Sequence, residues 1–293
     1  MLEGHGGPET ADYVSKNLPN MLLAHSPEEH GQLFEELDNA ILEQFDKDHR
    51  PFRRKSRNWI HNAQLVTSGT TALVIDIDLQ SLTATCSNAG DCRLLVFCLD
   101  GTKHRVVFQT EDLNVKTPSE RERLVREHPN ENHIFVGDRL FGRLMCTRGE
   151  PSSRLSFIQI DSEKWSGFGD GYYKLPRGLF GDARHRGYID TISSIERKGK
   201  IPMNAQYASL FFGYKTPPYI TARPETSSCQ LQNGSIVILA SDGLWDLISA
   251  EEAMRIVSLG IENREDNLAK YLLDNVIRQT PPGDDVTILI YRI

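Results

Sequence analysis

The sequence has no apolar run long enough to form a membrane-spanning helix. Such a helix needs roughly 18 or more apolar residues in a row, and no window of this chain approaches that length. The first seven residues, Met1 to Gly7, resemble neither a signal peptide nor an arginine-rich transit sequence. We therefore expect no membrane span, and no targeting segment within the chain as written.

The chain also has no excess of positive charge. Its 33 lysines and arginines are outnumbered by 40 aspartates and glutamates, which gives a formal net charge of −7. A surface that binds nucleic acid needs a concentrated stripe of lysine and arginine to neutralise phosphates. We therefore expect no nucleic-acid partner.

Two familiar motifs are missing as well. No glycine-rich loop leads into a helix that carries a lysine, which argues against a nucleotide-binding protein. No two cysteines have the C-x-x-C spacing of metal-binding and redox motifs. The cysteines are therefore expected to be free thiols in a reducing compartment. They are Cys86, Cys92, Cys98, Cys146 and Cys229.

The hydrophobic pattern indicates helices, then strands, then helices, then a final strand. Apolar residues recur at helical spacing before residue 46 and at strand spacing from Ala72 onward. Because tight turns join consecutive strands, we predict an α+β fold with an antiparallel β-sandwich flanked by helices. Residues 149–204 show no sustained period, and we expect an irregular insertion there. Further predicted elements are strands at 72–77, 82–87, 93–97, 105–109 and 235–240, and helices at 119–127, after Ser249, and at 264–278.

Two carboxylates lie where apolar runs begin or end near the end of the chain. The run 236–240 stops at Ser241-Asp242-Gly243, and Gly283-Asp284-Asp285 precedes the run 286–291. A buried strand holds its terminal residue rigidly, and Mg²⁺ and Mn²⁺ prefer oxygen ligands. We therefore predict that Asp242 and Asp284 bind a divalent cation.

Five motifs of the chain resemble, in order and spacing, those of the metal-dependent Ser/Thr protein phosphatases of the 2C type. The resemblance covers most of the chain. Two other segments, Tyr172 to Pro176 and Pro217 to Ile220, look like the pyruvate dehydrogenase phosphatase branch, which is mitochondrial in eukaryotes. The five motifs are Glu3-Gly4-His5-Gly6-Gly7, Ser68-Gly69-Thr70-Thr71-Ala72, Asn88-Ala89-Gly90-Asp91-Cys92-Arg93, Ala240-Ser241-Asp242-Gly243-Leu244-Trp245-Asp246 and Asp284-Asp285-Val286-Thr287.

The resemblance implies two Mg²⁺ or Mn²⁺ ions bound at one end of the sandwich. Asp242 and Asp284 match metal-ligating aspartates, and the Gly4 carbonyl matches a backbone ligand. Glu3 occupies the place of the family's metal-bridging aspartate. Bound water activated by the metal pair would then hydrolyse a phosphomonoester without a covalent enzyme intermediate.

The remaining site residues follow from the same resemblance. His5 matches the proposed general acid for the leaving alcohol, although a histidine in a glycine-rich loop is also consistent with a simple exposed side chain. Asp91 and Asp246 match acids near a third, weaker metal position. Ser68-Gly69-Thr70-Thr71 resembles a phosphate-binding nest, but the family pattern favours the start of a core strand.

The chain departs from the family pattern in three ways. Glu3 is longer than aspartate by one methylene, which moves its carboxylate outward in a near-octahedral site. The chain begins at this motif, so we expect that residues 1–293 form a single phosphatase domain, truncated at the N-terminus, that lacks the family's preceding strands. The family's T-R-x-F-G-D run is split between Thr147-Arg148 and Gly167 to Asp170.

These patterns predict a protein phosphatase that acts on phosphoserine and phosphothreonine. The alternative is a pseudophosphatase, a binding module that keeps the fold and recognises phosphorylated or acidic partners without turning them over. The expected partner is a phosphorylated protein, with the pyruvate dehydrogenase complex suggested by one branch of the family. The same analogy suggests a mitochondrial location, with the cytoplasm as the alternative.

Overall fold

The computed structural model describes residues 1–49, 54–100, 103–131, 134–141, 168–169, 174, 216 and 218–293. The predicted insertion at 149–204 lies outside the described residues apart from residues 168, 169 and 174. The helices are α1 (Glu9–Leu23), α2 (His30–His49), α3 (Trp59–Thr67), α4 (Pro118–Glu127), α5 (Asp242–Trp245), α6 (Ala250–Glu262) and α7 (Leu268–Ile277). The strands are β1 (Leu2–His5), β2 (Gly69–Asp78), β3 (Thr83–Ala89), β4 (Arg93–Asp100), β5 (Lys103–Gln109), β6 (Phe135–Val136), β7 (Arg139–Leu140), β8 (Phe168–Gly169), β9 (Glu225–Gln230), β10 (Ile236–Ala240) and β11 (Ile288–Arg292).

The chain forms two compact units. The sandwich unit comprises Met1, Ala72–Asp112 and Thr226–Ile293. The helical unit comprises Leu2–Thr71 and Leu113–Glu225. Within the described residues, no helix combines the length and the apolar character needed to cross a membrane.

The sandwich unit contains two antiparallel sheets. In one sheet, residues 72–78 of β2 pair with β3, and β9 is the next strand beside β3. The other has the strand order β11, β10, β4, β5. The turn between β2 and β3 is held by Asp78, whose carboxylate accepts bonds from the Gln80 main chain and the Ser81 hydroxyl.

The side chains of β4 and β10 alternate between two hydrophobic layers. Leu94 and Val96 pack with Leu73 and Cys86 of the first sheet. Leu95 lies on the opposite face, in a core that it shares with residues of α6 and α7. Both strands are therefore buried on both faces, which explains their nearly continuous apolar sequences. This arrangement of antiparallel sheets and helices confirms the predicted α+β sandwich class.

The helices after β10 differ in part from the prediction. The α6 helix begins as expected, with the Ser249 hydroxyl accepting a hydrogen bond from the Glu252 main chain. The next helix starts at Leu268 rather than at 264, because Arg264 has a left-handed backbone (φ 59°) and ends α6. Asn267 then caps α7 by accepting a bond from the Lys270 main chain. The last strand likewise begins at Ile288, two residues after the start of the apolar run.

The helical unit is built on α1, α2 and α3, which contact one another pairwise. The 3-10 turn Pro27–Glu29 before α2 has a capping box in which Ser26 and Glu29 bond reciprocally. The helical spacing of apolar residues before residue 46 predicts a buried stripe, and α2 carries it in Leu33, Phe34, Leu37, Ile41, Leu42 and Phe45, all of which are buried. The α3 helix was not predicted, because nine residues between a basic loop and a strand show little periodicity.

One charged pair lies wholly inside the helical unit. Asp38 is placed on the buried face of α2, one turn after Phe34, and its side chain is 0% exposed. Its two carboxylate oxygens accept hydrogen bonds of 2.8 and 2.7 Å from the Lys174 ammonium, which is also 0% exposed. Ion pairs of this kind are sensitive to loss of either partner, because the remaining charge stays in a poorly polarisable environment.

A polar and aromatic cluster surrounds His128 at the end of α4. Its Nδ1 lies 2.8 Å from the Thr216 hydroxyl, and its ring centroid lies 4.5 Å from that of Tyr219, with the two ring planes tilted by 39°. The Tyr219 hydroxyl donates to Glu131, which also accepts the Thr216 main-chain bond at 2.8 Å. Burial lowers the pKa of His128 below its ordinary value, and the Arg123 charge acts in the same direction while Glu131 partly opposes it.

This lowered pKa predicts a loss of stability in mild acid. Below the ordinary histidine pKa of about 6.5, the unfolded chain takes up a proton on His128 that the folded chain does not, so folding weakens as pH falls. His128 alone can change the free energy of unfolding by at most about 1.4 kcal/mol per pH unit. The free energy of unfolding, measured in urea between pH 7.5 and 5, should therefore fall more steeply with decreasing pH for the wild type than for His128→Gln. Parallel curves for the two proteins would contradict this role of His128.

Candidate metal centre

Two aspartates lie at the same edge of the four-stranded sheet. Strands β10 and β4 are antiparallel, and their register pairs Ala240 with Arg93. The chain leaves β10 through Ser241 to Asp242, while Asp91 lies two residues before β4 begins. Because antiparallel neighbours place the end of one strand beside the start of the next, Asp242 and Asp91 come together.

The two carboxylates are close enough to share a cation. Asp91 and Asp242 each offer an oxygen, and these oxygens lie within 4.8 Å of each other. Asp91 is only 4% exposed. The Oδ1 atom of Asp242 is buried and has no hydrogen-bond partner among the described residues. A buried carboxylate oxygen without a donor is unfavourable unless a cation or a bound water satisfies it.

The Asp284 loop is held against the start of α5 by Ser241. The Ser241 hydroxyl donates to the Asp285 carbonyl at 3.1 Å and accepts from the Thr287 main chain at 3.1 Å. The Ser241 main chain donates to the Thr287 carbonyl at the same distance. Ser241 therefore links the end of β10 to the segment that precedes β11, and it fixes the position of the loop that carries Asp284.

Gly243 allows this close approach. A Cβ atom at residue 243 would lie 2.3 Å from the Asp285 carbonyl oxygen, which no packing adjustment of a side chain can relieve. The glycine in the Ser241-Asp242-Gly243 motif is therefore required by the backbone of the neighbouring loop. The sequence pattern identified the motif but not this reason for it.

Because the Asp285 carbonyl lies so close to Gly243, the addition of one methyl group at residue 243 should have a strong effect. Gly243→Ala should displace the loop at 284–285 and weaken Mn²⁺ binding by about tenfold or more, because the loop carries a predicted ligand. Gly283→Ala is the matched control, since a Cβ there meets nothing within 4 Å. Isothermal titration with Mn²⁺ measures both variants. Equal affinities in Gly243→Ala and Gly283→Ala would show that the close approach does not matter for binding.

The other two predicted acids of the sandwich unit are both exposed. Asp284 accepts a 2.7 Å bond from the main chain of Asp285 through its Oδ1 atom. Asp246 lies one helical turn after Asp242, and its main chain donates to the Asp242 carbonyl at 2.8 Å. Neither side chain joins the close group that contains Asp91 and Asp242. Their roles as metal ligands stay predictions.

The three predicted residues at the start of the chain lie on β1 in the helical unit. The Glu3 carbonyl accepts a 2.8 Å bond from the Thr70 hydroxyl, and the Glu3 side chain is half-buried. A Cβ at Gly4 would lie 3.1 Å from the Ala11 Cβ, so this position is tight. His5 is half-buried, and Gly6 follows it with a positive φ of 71°. The metal and acid roles of Glu3, Gly4 and His5 stay predictions.

Asn88 is a further polar residue near Asp91 to which the sequence patterns assigned no role. Its side chain is 1% exposed, and its amide nitrogen donates to the Glu111 carbonyl at 3.3 Å. Its Oδ1 atom is buried without a hydrogen-bond partner among the described residues. Its place in the motif Asn88-Ala89-Gly90-Asp91 was the available signal, but an amide there is equally typical of a turn.

The chain matches the family model "Protein phosphatase 2C" over residues 1–150 and 167–281. The unmatched interval between these ranges falls inside the predicted insertion. Asp91 and Asp242 both lie within the matched ranges, as do Glu3, Gly4, His5 and Asp246. Asp284 lies just beyond them.

Curated relatives match over much of this chain but over less of their own length. The human mitochondrial "[Pyruvate dehydrogenase [acetyl-transferring]]-phosphatase 2" is 31% identical over 198 residues, which are 66% of this chain and 32% of the relative. A protein phosphatase 2C homolog of Schizosaccharomyces pombe is 25% identical over 279 residues, 88% of this chain and 54% of the relative. A mitochondrial pyruvate dehydrogenase phosphatase 1 of Saccharomyces cerevisiae is 26% identical, with coverage of 88% and 43%. The chain thus spans about a third to a half of these relatives.

Two solved structures share the fold over nearly the whole chain. A serine-threonine phosphatase 2C from Toxoplasma gondii has a TM-score of 0.52 at 15% identity, covering 99% of this chain and 82% of its own. A sex determining protein of C. elegans has a TM-score of 0.58 at 17% identity, with coverage of 99% and 54%. At these identities the likeness concerns the fold alone. Because the family model covers most of the sequence, the chain belongs to the protein phosphatase 2C family.

Proposed function

We propose that the protein is a metal-dependent phosphatase that hydrolyses phosphoserine and phosphothreonine in proteins. The observation that carries this proposal is the pair of carboxylates at the edge of the four-stranded sheet, where Asp91 and Asp242 approach within 4.8 Å. Family membership supports the same activity. The phosphatase names of the curated relatives favour hydrolysis over the pseudophosphatase alternative.

The donor set fits Mg²⁺ or Mn²⁺. Both ions prefer hard oxygen ligands, and the pair consists of carboxylates without thiol or imidazole neighbours in the same close group. The buried, unpartnered Oδ1 of Asp242 lacks the donor or cation that such an atom requires. We propose two ions and a weaker third, with Asp284, Glu3 and the Gly4 carbonyl as further ligands and with Asp246 near the third position.

The residues of the chain contribute position and charge to the proposed reaction. Divalent ions, when bound, supply an activated water and offset the negative charge of the phosphoryl oxygens. Asp91 and Asp242 hold their carboxylates at strand ends, so little reorganisation is needed when the ions bind. Ser241 and Gly243 fix the neighbouring loop that carries Asp284. His5 would donate the proton to the leaving alcohol, as the family motif suggests.

Two further proposals concern the substrate and the cellular location of the protein. Two of the relatives reported above carry the name of pyruvate dehydrogenase phosphatases and are described as mitochondrial. We propose on this likeness that the substrate is a phosphorylated subunit of the pyruvate dehydrogenase complex and that the protein works in mitochondria. Release of phosphate from the purified phosphorylated complex, compared with an unrelated phosphoprotein, tests the first part. Fractionation of cells that express the tagged full-length protein tests the second.

The activity itself is tested with a phosphothreonine peptide. The purified protein should release phosphate in the presence of Mn²⁺, and excess chelator should abolish the release. A folded protein that releases no phosphate with Mn²⁺ or Mg²⁺ but still binds the peptide would favour the pseudophosphatase alternative. Neither turnover nor binding would reject both functions for this chain.

A further inference from the structure

An open pocket lies beside the candidate metal centre within the sandwich unit. Its volume is about 540 Å³, and it is lined by Arg93, Gln109 and the residues from Trp245 to Glu251. Arg93 is two residues from Asp91 in the chain, and Asp246 follows Asp242 by one helical turn. The pocket therefore borders the residues that carry the proposed phosphatase chemistry.

The positive charge in this pocket is already neutralised. Arg93 donates through Nε and Nη2 to the two oxygens of Asp112, at 2.9 and 2.7 Å. The guanidinium also lies over the Trp245 ring, 5.1 Å from its centroid. A bidentate pair of this kind is fixed in geometry and leaves little net charge to attract an anion. Arg93 therefore forms a wall of the pocket rather than a free anion-binding group.

The exposed charges that line the pocket are negative. Asp246 and Glu251 are both exposed carboxylates on its wall. The pKa of Glu251 is held below its ordinary value by a hydrogen bond from its own main chain and by the Ser249 hydroxyl. The glutamate is thus ionised throughout the physiological pH range.

The remaining lining suits the methylene chain of a long side chain. Leu247 and Ile248 are partly buried in the hydrophobic core and line the same wall. Lysine and arginine side chains bury their apolar stems along such surfaces while the charged end stays near a carboxylate. Charge and shape together therefore favour a basic side chain over an acidic or a purely apolar one.

We propose that this pocket binds a lysine or arginine side chain of the phosphoprotein substrate, close in sequence to the phosphorylated residue, with Glu251 as its carboxylate partner. The proposal rests on the proposed phosphatase function, which it extends to a preference among substrates. It makes Glu251 a specificity-determining residue without any part in the chemistry.

The test compares phosphothreonine peptides in which one arginine is moved through the positions on either side of the phosphothreonine. The reference is the same peptide with alanine at every such position. Binding is measured by fluorescence anisotropy with chelator present, so the result does not depend on turnover, and kcat/KM is measured separately with Mn²⁺. We expect at least one arginine position to raise affinity by about fivefold, the scale of an exposed ion pair. The same position should raise kcat/KM through KM.

Two variants separate the pocket from general surface charge. Glu251→Gln should remove the preference for arginine while leaving the alanine peptide unaffected. Glu252→Gln is the matched control, because Glu252 lies in the same helical turn but pairs with Arg255 at 2.6 Å and does not line the pocket. This control should keep the preference.

The outcomes distinguish the inference from the proposed function. A preference in binding that Glu251→Gln abolishes supports the inference even if no peptide is hydrolysed, in which case only the phosphatase proposal fails. A preference that survives Glu251→Gln, or no preference at any arginine position, overturns the inference. Hydrolysis of the alanine peptide in that case leaves the proposed function intact.

Discussion

Asp242→Asn is expected to lower Mn²⁺-dependent phosphate release by at least about a hundredfold. The substitution keeps the size of the side chain but removes a carboxylate charge from a metal site whose ions supply several kcal/mol of transition-state stabilisation. The unfolding temperature should respond as well. A cation at a hundred times its dissociation constant stabilises the wild type by about 2.7 kcal/mol, and the variant should lose most of this gain.

The same substitution should stabilise the protein when metal is absent. Asp242 Oδ1 is buried without a partner among the described residues, and a neutral amide tolerates that environment better than a carboxylate. We expect Asp242→Asn to raise the free energy of unfolding in chelator by about 1 kcal/mol. Asp274→Asn is the control, because Asp274 is a surface carboxylate paired with Lys270 on α7. An Asp242→Asn protein that still gains full stability from Mn²⁺ would place the metal elsewhere.

Asp38→Asn is expected to destabilise the protein by about 3–5 kcal/mol, the usual result when one member of a buried ion pair is removed. The substitution takes away the carboxylate that accepts both bonds from Lys174, while the ammonium stays fully buried. Equilibrium unfolding in urea, followed by circular dichroism, measures the change in the free energy of unfolding.

A second variant tests whether charge is the cause. Replacing both members, as in Asp38→Leu with Lys174→Met, should destabilise the protein less than Asp38→Asn, because no charged group remains at the buried position. Glu43→Gln provides a surface comparison, since Glu43 pairs with Lys47 on the same helix with both side chains more than half exposed. Glu43→Gln should lower the free energy of unfolding by less than about 1 kcal/mol. A double variant as unstable as Asp38→Asn would show that packing, rather than charge, dominates at this position.

Strongly periodic segments were predictable from the sequence alone. The buried stripe of α2 and the strands β2 and β3 follow directly from residue spacing. The Ser249 cap of α6 was also recognisable, because a serine before an apolar run is a frequent helix start. Asp91 and Asp242 were identified through motifs, and the structure brings their carboxylates together.

Other features depend on contacts that local patterns do not record. The short helix α5 was missed because four residues have no measurable period, and it is ordered by the bonds of Ser241 and by Trp245 Nε1 donating to the Ala240 carbonyl. Strand β9 was missed because its sequence is mostly polar, and it gains order from hydroxyl pairs with β3 such as Thr85 with Ser228 at 3.0 Å. The reason for Gly243 lies at Asp285, 42 residues further along the chain.

The buried polar groups were the least predictable part of the site. Nothing in the spacing of Asn88 indicates that its amide oxygen is buried and unpartnered, and nothing in α2 identifies Lys174 as the partner of Asp38. Both relationships arise from tertiary packing of distant segments. The roles of Glu3, Gly4 and His5 continue to rest on the family resemblance, and that of Asp284 rests on the resemblance and on its place before a strand.

Mn²⁺ binding measured by electron paramagnetic resonance tests whether Asp91 and Asp242 together hold a divalent cation. The free Mn²⁺ signal is followed as wild type, Asp91→Asn, Asp242→Asn and Asp274→Asn proteins are titrated. Wild type and Asp274→Asn should deplete the signal alike, while Asp91→Asn and Asp242→Asn should each bind Mn²⁺ at least about tenfold more weakly. Unchanged Mn²⁺ binding in both Asp91→Asn and Asp242→Asn would show that these two carboxylates do not hold the cation.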